Sequence, residues 1–261
     1  MPDVTTPYAP GTPCWVDLAA PDQKAAIDFY SELLGWRGEV GPPETGGYAV
    51  CQLNGKPVAG IMAAVAMGDQ PAPPTVWTTY LASADAEASQ RSVESAGGTV
   101  LMPAMDVMSL GRMFIAADPT GAVFGVWQAV DFPGAGVVNE TGALIWNELN
   151  TSDRSAASAF YRAAFGIESA TLEGMAHYYA LQVGGGAVGG MQPMPEHLPA
   201  DTPSHWLTYF AVADPDAAVA KVAAAGGNAI MEPFDMVAGR MAVLTDPQGA
   251  VFALIRPKPM E

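Results

Sequence analysis

Cysteine, histidine and basic residues are scarce in this chain, and each scarcity removes a class of function. Two cysteines, Cys14 and Cys51, cannot build a disulfide framework, and neither stands in a CxxC or Cys-His cluster. Both lie in apolar, strand-like runs, so buried thiols are expected rather than a nucleophile. The 11 Lys and Arg against 27 Asp and Glu leave a formal charge of -16. That balance argues against nucleic acid or an anionic membrane as partner, because phosphate contacts need clustered cations. No run approaches the roughly 18 apolar residues of a membrane helix. The opening MPDVTTPYAPGTP has neither the basic region nor the apolar core of a signal peptide, so the expected location is the cytoplasm. Gly184-Gly185-Gly186 and Gly189-Gly190 lack the following Lys-Ser/Thr of a phosphate loop, and turns account for them. Charged residues make up only 15% of the chain and hydrophobic ones 50%. A large interior or an apolar cleft is therefore expected.

What the chain does have is repetition. Asp22 is suited to cap a helix, because its carboxylate can accept from free N–H groups of the first turn. Ala26, Phe29, Tyr30, Leu33 and Leu34 then recur at helical spacing, and Gly35 can take the left-handed stop. The same separation of cap and glycine recurs from Asp85 to Gly98, Asp153 to Gly166 and Asp214 to Gly227, each after a strand-like run. A longer repeat lies on top of this one. Asp118-Pro-Thr-Gly-Ala-Val-Phe124 returns as Asp246-Pro-Gln-Gly-Ala-Val-Phe252, and Trp77-x-Thr-Tyr80 returns as Trp206-x-Thr-Tyr209. The chain reads as a tandem duplication of a half that is itself two βαβββ modules: an α+β protein of four modules, with curved mixed sheets and helices on their outer face. The expected divisions are a flexible arm at 1–10, a first domain at 11–131, a linker at 132–142 and a second domain at 143–258.

In the first strand, Cys14-Trp15-Val16-Asp17-Leu18, alternation sends Val16 and Leu18 to the helix while Trp15 and Asp17 project from the opposite face. Trp146 and Glu148 stand at the equivalent points of the second half. Trp77 and Trp206, with Thr79 and Thr208, are expected to share that inner face. With Tyr48, Tyr179, Met62 and Met191 they would form flat, polarisable walls for a planar aromatic ligand, or else fill the sheets' interior. A carboxylate beside indole rings would have a raised pKa and could exchange a proton with a phenol or ketone. Asp17 and Glu148 are therefore the catalytic candidates, weighed against ordinary hydrogen-bonded carboxylates.

The paired modules, the D-x6-FY-x4-G helix and the D-P-x-G-x-x-F ending resemble the vicinal oxygen chelate superfamily: glyoxalase I, extradiol dioxygenases, fosfomycin and bleomycin resistance proteins. The C-W-V-D-L strand and the two fused halves look most like its actinobacterial two-domain members, related to a mycobacterial 27 kDa antigen and labelled hydroxylases. Some members of that group are accessory to aromatic polyketide pathways. The resemblance implies a divalent metal held by His and Glu on the inner face. At the implied ligand positions this chain has Trp15 and Trp146, Gln52 and Gln182, Thr79 and Thr208, Gly125 and Ala253. None is His, Glu, Asp or Cys, so no metal or other cofactor is expected. A cluster of His177, His205 and Glu148 is the remaining route to a metal, and His197 is expected to be solvated in a Pro-rich loop.

The expected function is metal-independent binding or sequestering of an aromatic, polyketide-like small molecule, accessory to antibiotic biosynthesis or resistance. The alternative is a hydroxylase-like, glyoxalase or dioxygenase enzyme using Asp17 and Glu148 or an unconventional metal site. The protein would act as a homodimer, or as a monomer whose halves mimic one.

Overall fold

A computed structural model describes residues 4, 6–66, 72–172, 175–196, 198, 199 and 201–258. The first half runs β1 (Pro13–Ala20), α1 (Gln23–Leu34), β2 (Ala49–Leu53), β3 (Lys56–Ala63), β4 (Trp77–Ser83), α2 (Ala86–Ser95), β5 (Thr99–Val107), β6 (Gly111–Ala117) and β7 (Val123–Ala129). The second repeats it as β8 (Leu144–Thr151), α3 (Arg154–Phe165), β9 (Glu168–Leu172), β10 (Met175–Val183), β11 (Gly186–Pro193), β12 (His205–Ala211), α4 (Pro215–Ala224), β13 (Asn228–Met236), β14 (Gly239–Thr245) and β15 (Val251–Pro257). No helix among the described residues is long and apolar enough to cross a membrane.

The four α-helices among the described residues begin as their sequences suggest: Asp22, Asp85, Asp153 and Asp214 each cap an N-terminus by accepting from a first-turn backbone N–H. Gly35 and Gly166 take the left-handed stop at φ 77° and 68°. In α2 and α4 the stop falls one residue earlier than expected, on Gly97 and Gly226 rather than Gly98 and Gly227. The segment after α1, expected as a strand near Arg37, makes only the isolated bridge of Arg37 to Gln52, whereas its counterpart after α3 is β9. The halves therefore carry sheets of seven and eight strands.

The strand orders are β2-β3-β1-β4-β7-β6-β5 and β13-β14-β15-β12-β8-β11-β10-β9. In each half the two modules join through their first strands, β1 with β4 and β8 with β12, both antiparallel. Modules thus pair within a half, a point the sequence leaves open. The sheets are mixed and unclosed. Each concave face belongs to one bending sheet, and the two halves meet back to back through their helix-bearing faces.

That junction holds the core. Val16, Leu18, Tyr30, Leu34, Trp36 and Trp77 of the first half pack with Phe210, Val222, Phe252 and Leu254 of the second. Leu81, Val93, Phe114 and Phe124 pack with Leu149, Phe160, Tyr161 and Trp206 in a matching cluster. Burying side chains of this size contributes about 1.5–3 kcal/mol each, and the halves share these two large clusters, beside smaller ones of their own around Trp15 and Tyr209. The arm and linker also pack: Val4 N donates to Gly136 O at 3.1 Å, and the Tyr8 hydroxyl donates to Ala135 O at 2.8 Å.

Candidate functional site

A buried carboxylate stands at the centre of each concave face, positioned by the first strand. A bulge near the start of β1 lets Cys14 and Trp15 face the same way, after which alternation sends Asp17 to the concave side and Val16 and Leu18 to the helices. Asp17 is 3% exposed. The Trp15 indole N–H donates to the Tyr48 hydroxyl at 2.8 Å, and that hydroxyl donates to Asp17 Oδ2 at 3.2 Å. Two glycines make room for the phenols. A Cβ on Gly60 would lie 1.8 Å from the Tyr48 hydroxyl oxygen, and one on Gly125 would lie 2.2 Å from the Tyr80 ring. Burial pushes the Asp17 carboxyl up to about 7, tempered by the Tyr80 and Tyr48 hydroxyls, and burial together with the carboxylate raises both phenols. Asp17 Oδ1 is buried and accepts no hydrogen bond of normal geometry from the described residues. The Tyr80 hydroxyl faces this carboxyl.

The second half repeats the arrangement around Glu148, also 3% exposed. The Tyr209 hydroxyl and Gln192 Nε2 each donate to Glu148 Oε1 at 2.9 Å, and the Trp146 N–H donates to the Tyr178 hydroxyl at 2.8 Å. A Cβ on Gly190 would lie 1.9 Å from the Tyr178 hydroxyl oxygen. Burial raises the Glu148 carboxyl, opposed by donors from Tyr209, Tyr178 and Gln192.

The halves differ in cover. Over the first concave face the linker lays Phe132 edge-on against Trp15, with ring centres 5.0 Å apart, and accepts the Trp127 indole N–H on Phe132 O at 2.7 Å. In the second half Trp146 is half-buried rather than buried.

Several expected wall residues face the other way. Leu18 pairs with Trp77, and Leu149 with Trp206, which puts both tryptophans on the helix side, where they donate to Tyr30 and Tyr161 at 3.0 Å. Thr79 and Thr208 share that side: Thr79 Oγ1 donates to Asn147 Oδ1 at 2.8 Å across the junction, and Thr208 is fully buried. Tyr179 lies under α3 with the Arg154 guanidinium 4.4 Å from its ring centre, and Met191 is in the shared core. The true counterparts of Tyr48 and Met62 are Tyr178 and Gln192, because Ala49 pairs with Ile61 as Tyr179 pairs with Met191. Matching Tyr48-Ala49 to Tyr179-Ala180 by sequence alone is a one-residue slip, which in a strand exchanges the faces. Met62 keeps the concave side, opposite Ala19. Gln52 is exposed and Gln182 half-buried, and neither bonds to Asp17 or Glu148.

Tyr80, Tyr209, Tyr178 and Gln192 are candidate-site residues that sequence reasoning misses, although the Trp-x-Thr-Tyr repeat displays the first two. His177 is exposed, His205 is half-buried, and His197 lies outside the described residues. Cys14 and Cys51 are buried, and burial pushes the Cys51 thiol up to about 12.

Residues 14–126 and 143–254 each match the family described as Glyoxalase/Bleomycin resistance protein/Dioxygenase superfamily. The chain belongs to this superfamily. Within it, the chain is 46% identical over 261 residues to the "Putative glyoxylase CFP32" of Mycobacterium tuberculosis, covering 97% of this chain and 98% of that protein. It is 38% identical over 275 residues to the anthracycline biosynthesis protein DauV of Streptomyces sp. strain C5, covering 96% and 94%. Among solved structures, the Mn(II)-bound glyoxalase of Novosphingobium aromaticivorans superposes with a TM-score of 0.64 at 16% identity, over 95% of this chain and 82% of that one.

The metal that the superfamily implies can be tested against the concave face. Trp15 pairs with Tyr80 and Tyr80 with Gly125, forming one row across β1, β4 and β7; Trp146, Tyr209 and Ala253 form the same row in the second half. Each row begins at an implied first-strand His position and ends at an implied last-strand Glu position. Tyr80 and Tyr209, rather than Thr79 and Thr208, therefore stand at its middle. Indole, glycine and a methyl group donate nothing to a divalent ion, and burial holds both phenols protonated. These residues do not fit a metal. Among the described residues no group of three His, Cys, Asp or Glu is placed to share an ion, so His177, His205 and Glu148 do not form one.

Proposed function

We propose that this superfamily member binds a planar, oxygen-bearing aromatic molecule on a concave sheet face without metal chemistry. The observation that carries the reading is the twofold occurrence of one device, an indole donating to a phenol beside a buried carboxyl, at Trp15, Tyr48 and Asp17 and again at Trp146, Tyr178 and Glu148. In the second half the half-buried Trp146 and Tyr178 rings offer stacking surface, and the carboxyl and phenols offer hydrogen bonds in a medium of low dielectric, where such bonds discriminate strongly. The relationship to an anthracycline biosynthesis protein supports the choice of ligand class, since anthracyclines are planar oxygenated aromatics. Titration with a panel of hydroxylated polycyclic aromatics should quench or shift tryptophan emission. A panel that leaves the emission unchanged would refute the proposal.

The second reading, acid–base catalysis on such a ligand, is favoured by one observation: Asp17 is pushed up to about 7, where a carboxyl both gives and takes protons at neutral pH. It requires a turnover that Asp17→Asn or Glu148→Gln abolishes while binding persists.

A further inference from the structure

The duplication supplies an internal control, and on one rung of the concave faces the halves have diverged. In the second half Asn150 pairs with Gln192 on one side and His205 on the other. In the first half the corresponding rung is apolar: Ala19 pairs with Met62, and Val76 stands beside Ala19 by the register that sets Trp77 opposite Leu18. The polar rung is bonded in one direction throughout. Pro203 O can only accept, so the 2.9 Å contact puts a proton on His205 Nδ1 and leaves Nε2 to accept from Asn150 Nδ2 at 3.4 Å. Asn150 Oδ1 then accepts from Gln192 Nε2 at 3.0 Å, and the second hydrogen of Nε2 goes to Glu148 Oε1. The chain of bonds fixes the Gln192 amide and spends both of its hydrogens. Its carbonyl oxygen is left as an acceptor without a partner among the described residues, on a half-buried side chain that shares Glu148 with the half-buried Tyr178, which in turn accepts from the half-buried Trp146.

We infer that Gln192, held by Asn150 and Glu148, reads a ligand hydroxyl: the second half takes an aromatic that presents an O–H donor, and the first half does not. The inference rests on the aromatic-binding reading above and adds which half binds and which group is recognised. A carbonyl oxygen oriented in a half-buried site favours a phenol over its methyl ether, because the ether leaves the acceptor desolvated and unpaired. Asn150 and His205 are positioning residues, since they act through the Gln192 amide.

Calorimetric titration with 1-naphthol and 1-methoxynaphthalene separates the two claims. Wild type should bind 1-naphthol about tenfold or more tightly than its methyl ether. Gln192→Met, which installs the residue the first half uses at this point, should bring the two affinities together, while Met62→Leu should leave the preference intact. A preference that survives Gln192→Met, or equal binding of both compounds by wild type, overturns the inference and leaves aromatic binding standing. Binding of neither compound sinks both. Should Gln192→Met fail to fold, the side-chain amide signal of Gln192 in a nitrogen–proton NMR spectrum of wild type must shift on adding 1-naphthol; an unmoved signal is equally decisive against it.

Discussion

The Tyr30 hydroxyl donates to Asp246 Oδ2 at 3.0 Å, joining residues 216 positions apart and fastening α1 to the turn between β14 and β15. Asp246 uses its other oxygen to accept from the backbone of Gln248 and Ala250, so one carboxylate both shapes the Asp-Pro-Gln-Gly turn and ties the halves together. Tyr161 faces Asp118 at the related point across the junction. The same Tyr30 hydroxyl accepts from Trp77, which is why that tryptophan is structural and unavailable to a ligand.

Removing this latch should cost stability in both halves at once. Tyr30→Phe leaves the Trp77 N–H and Asp246 Oδ2 unpaired in the core, at about 1–3 kcal/mol. Urea unfolding followed by tryptophan emission should show a lower midpoint with a single cooperative transition. Two separated transitions would contradict a core shared by the halves.

The phenols depend on the glycines beneath them. Gly60→Ala would place a Cβ 1.8 Å from the Tyr48 hydroxyl oxygen, and Gly190→Ala one 1.9 Å from that of Tyr178. Overpacking of this kind destabilises by about 1–3 kcal/mol. Each variant should melt lower than wild type, and only Gly190→Ala should weaken aromatic binding.

Stability should fall with rising pH through the range set by Asp17. Its carboxyl is raised from 3.8 to about 7 in the folded protein. Between those values the folded state therefore holds a proton that the unfolded chain has released, and unfolding becomes easier as pH climbs through the window. The loss is complete above about pH 7 and is on the order of 4 kcal/mol, since each pH unit across the window removes about 1.4 kcal/mol. Glu148 is raised in the same direction and adds to the trend. Asp17→Asn should flatten the fall in melting temperature between pH 4 and 7; an unchanged slope would show that Asp17 does not titrate there.

Divalent ions should not stabilise the protein. An ion held by the folded state at 100 times its dissociation constant would add about 2.7 kcal/mol, a shift of several degrees. Mn2+, Zn2+ or Ni2+ added after chelation should leave the melting temperature unchanged. A clear rise, or a stoichiometric metal found by elemental analysis of purified protein, would overturn the reading of the Trp15-Tyr80-Gly125 row.

Fold and site are legible in the sequence to different depths. Asp caps and glycine stops are local signals, since they satisfy or redirect the backbone within a few residues, and they place the four helices and the duplication. Asp17 and Glu148 are legible for a similar reason: strand alternation next to a capped helix decides which side is buried against it. Trp77, Thr79, Trp206, Thr208, Tyr179 and Met191 fall on the face opposite to the one their sequence suggests. Strand register sets Trp77 and Thr79 opposite Leu18 and Val16, and Trp206 and Thr208 opposite Leu149 and Asn147, while Tyr179 and Met191 pair with each other as Ala49 and Ile61 do; pairing between distant strands cannot be read from either strand alone.

The amino-acid order by itself determined the four capped helices, the fourfold repetition of strand–helix modules and the absence of metal-donating residues at the superfamily's positions, because these are properties of adjacent residues and their spacing; it overstated one strand, near Arg37, which is only an isolated bridge. Tertiary structure decided the rest: that each half folds as one sheet, that the halves join back to back, and that Gln192 rather than Met191 meets Glu148. Those outcomes depend on strand register, and register is settled only when whole faces are buried against one another.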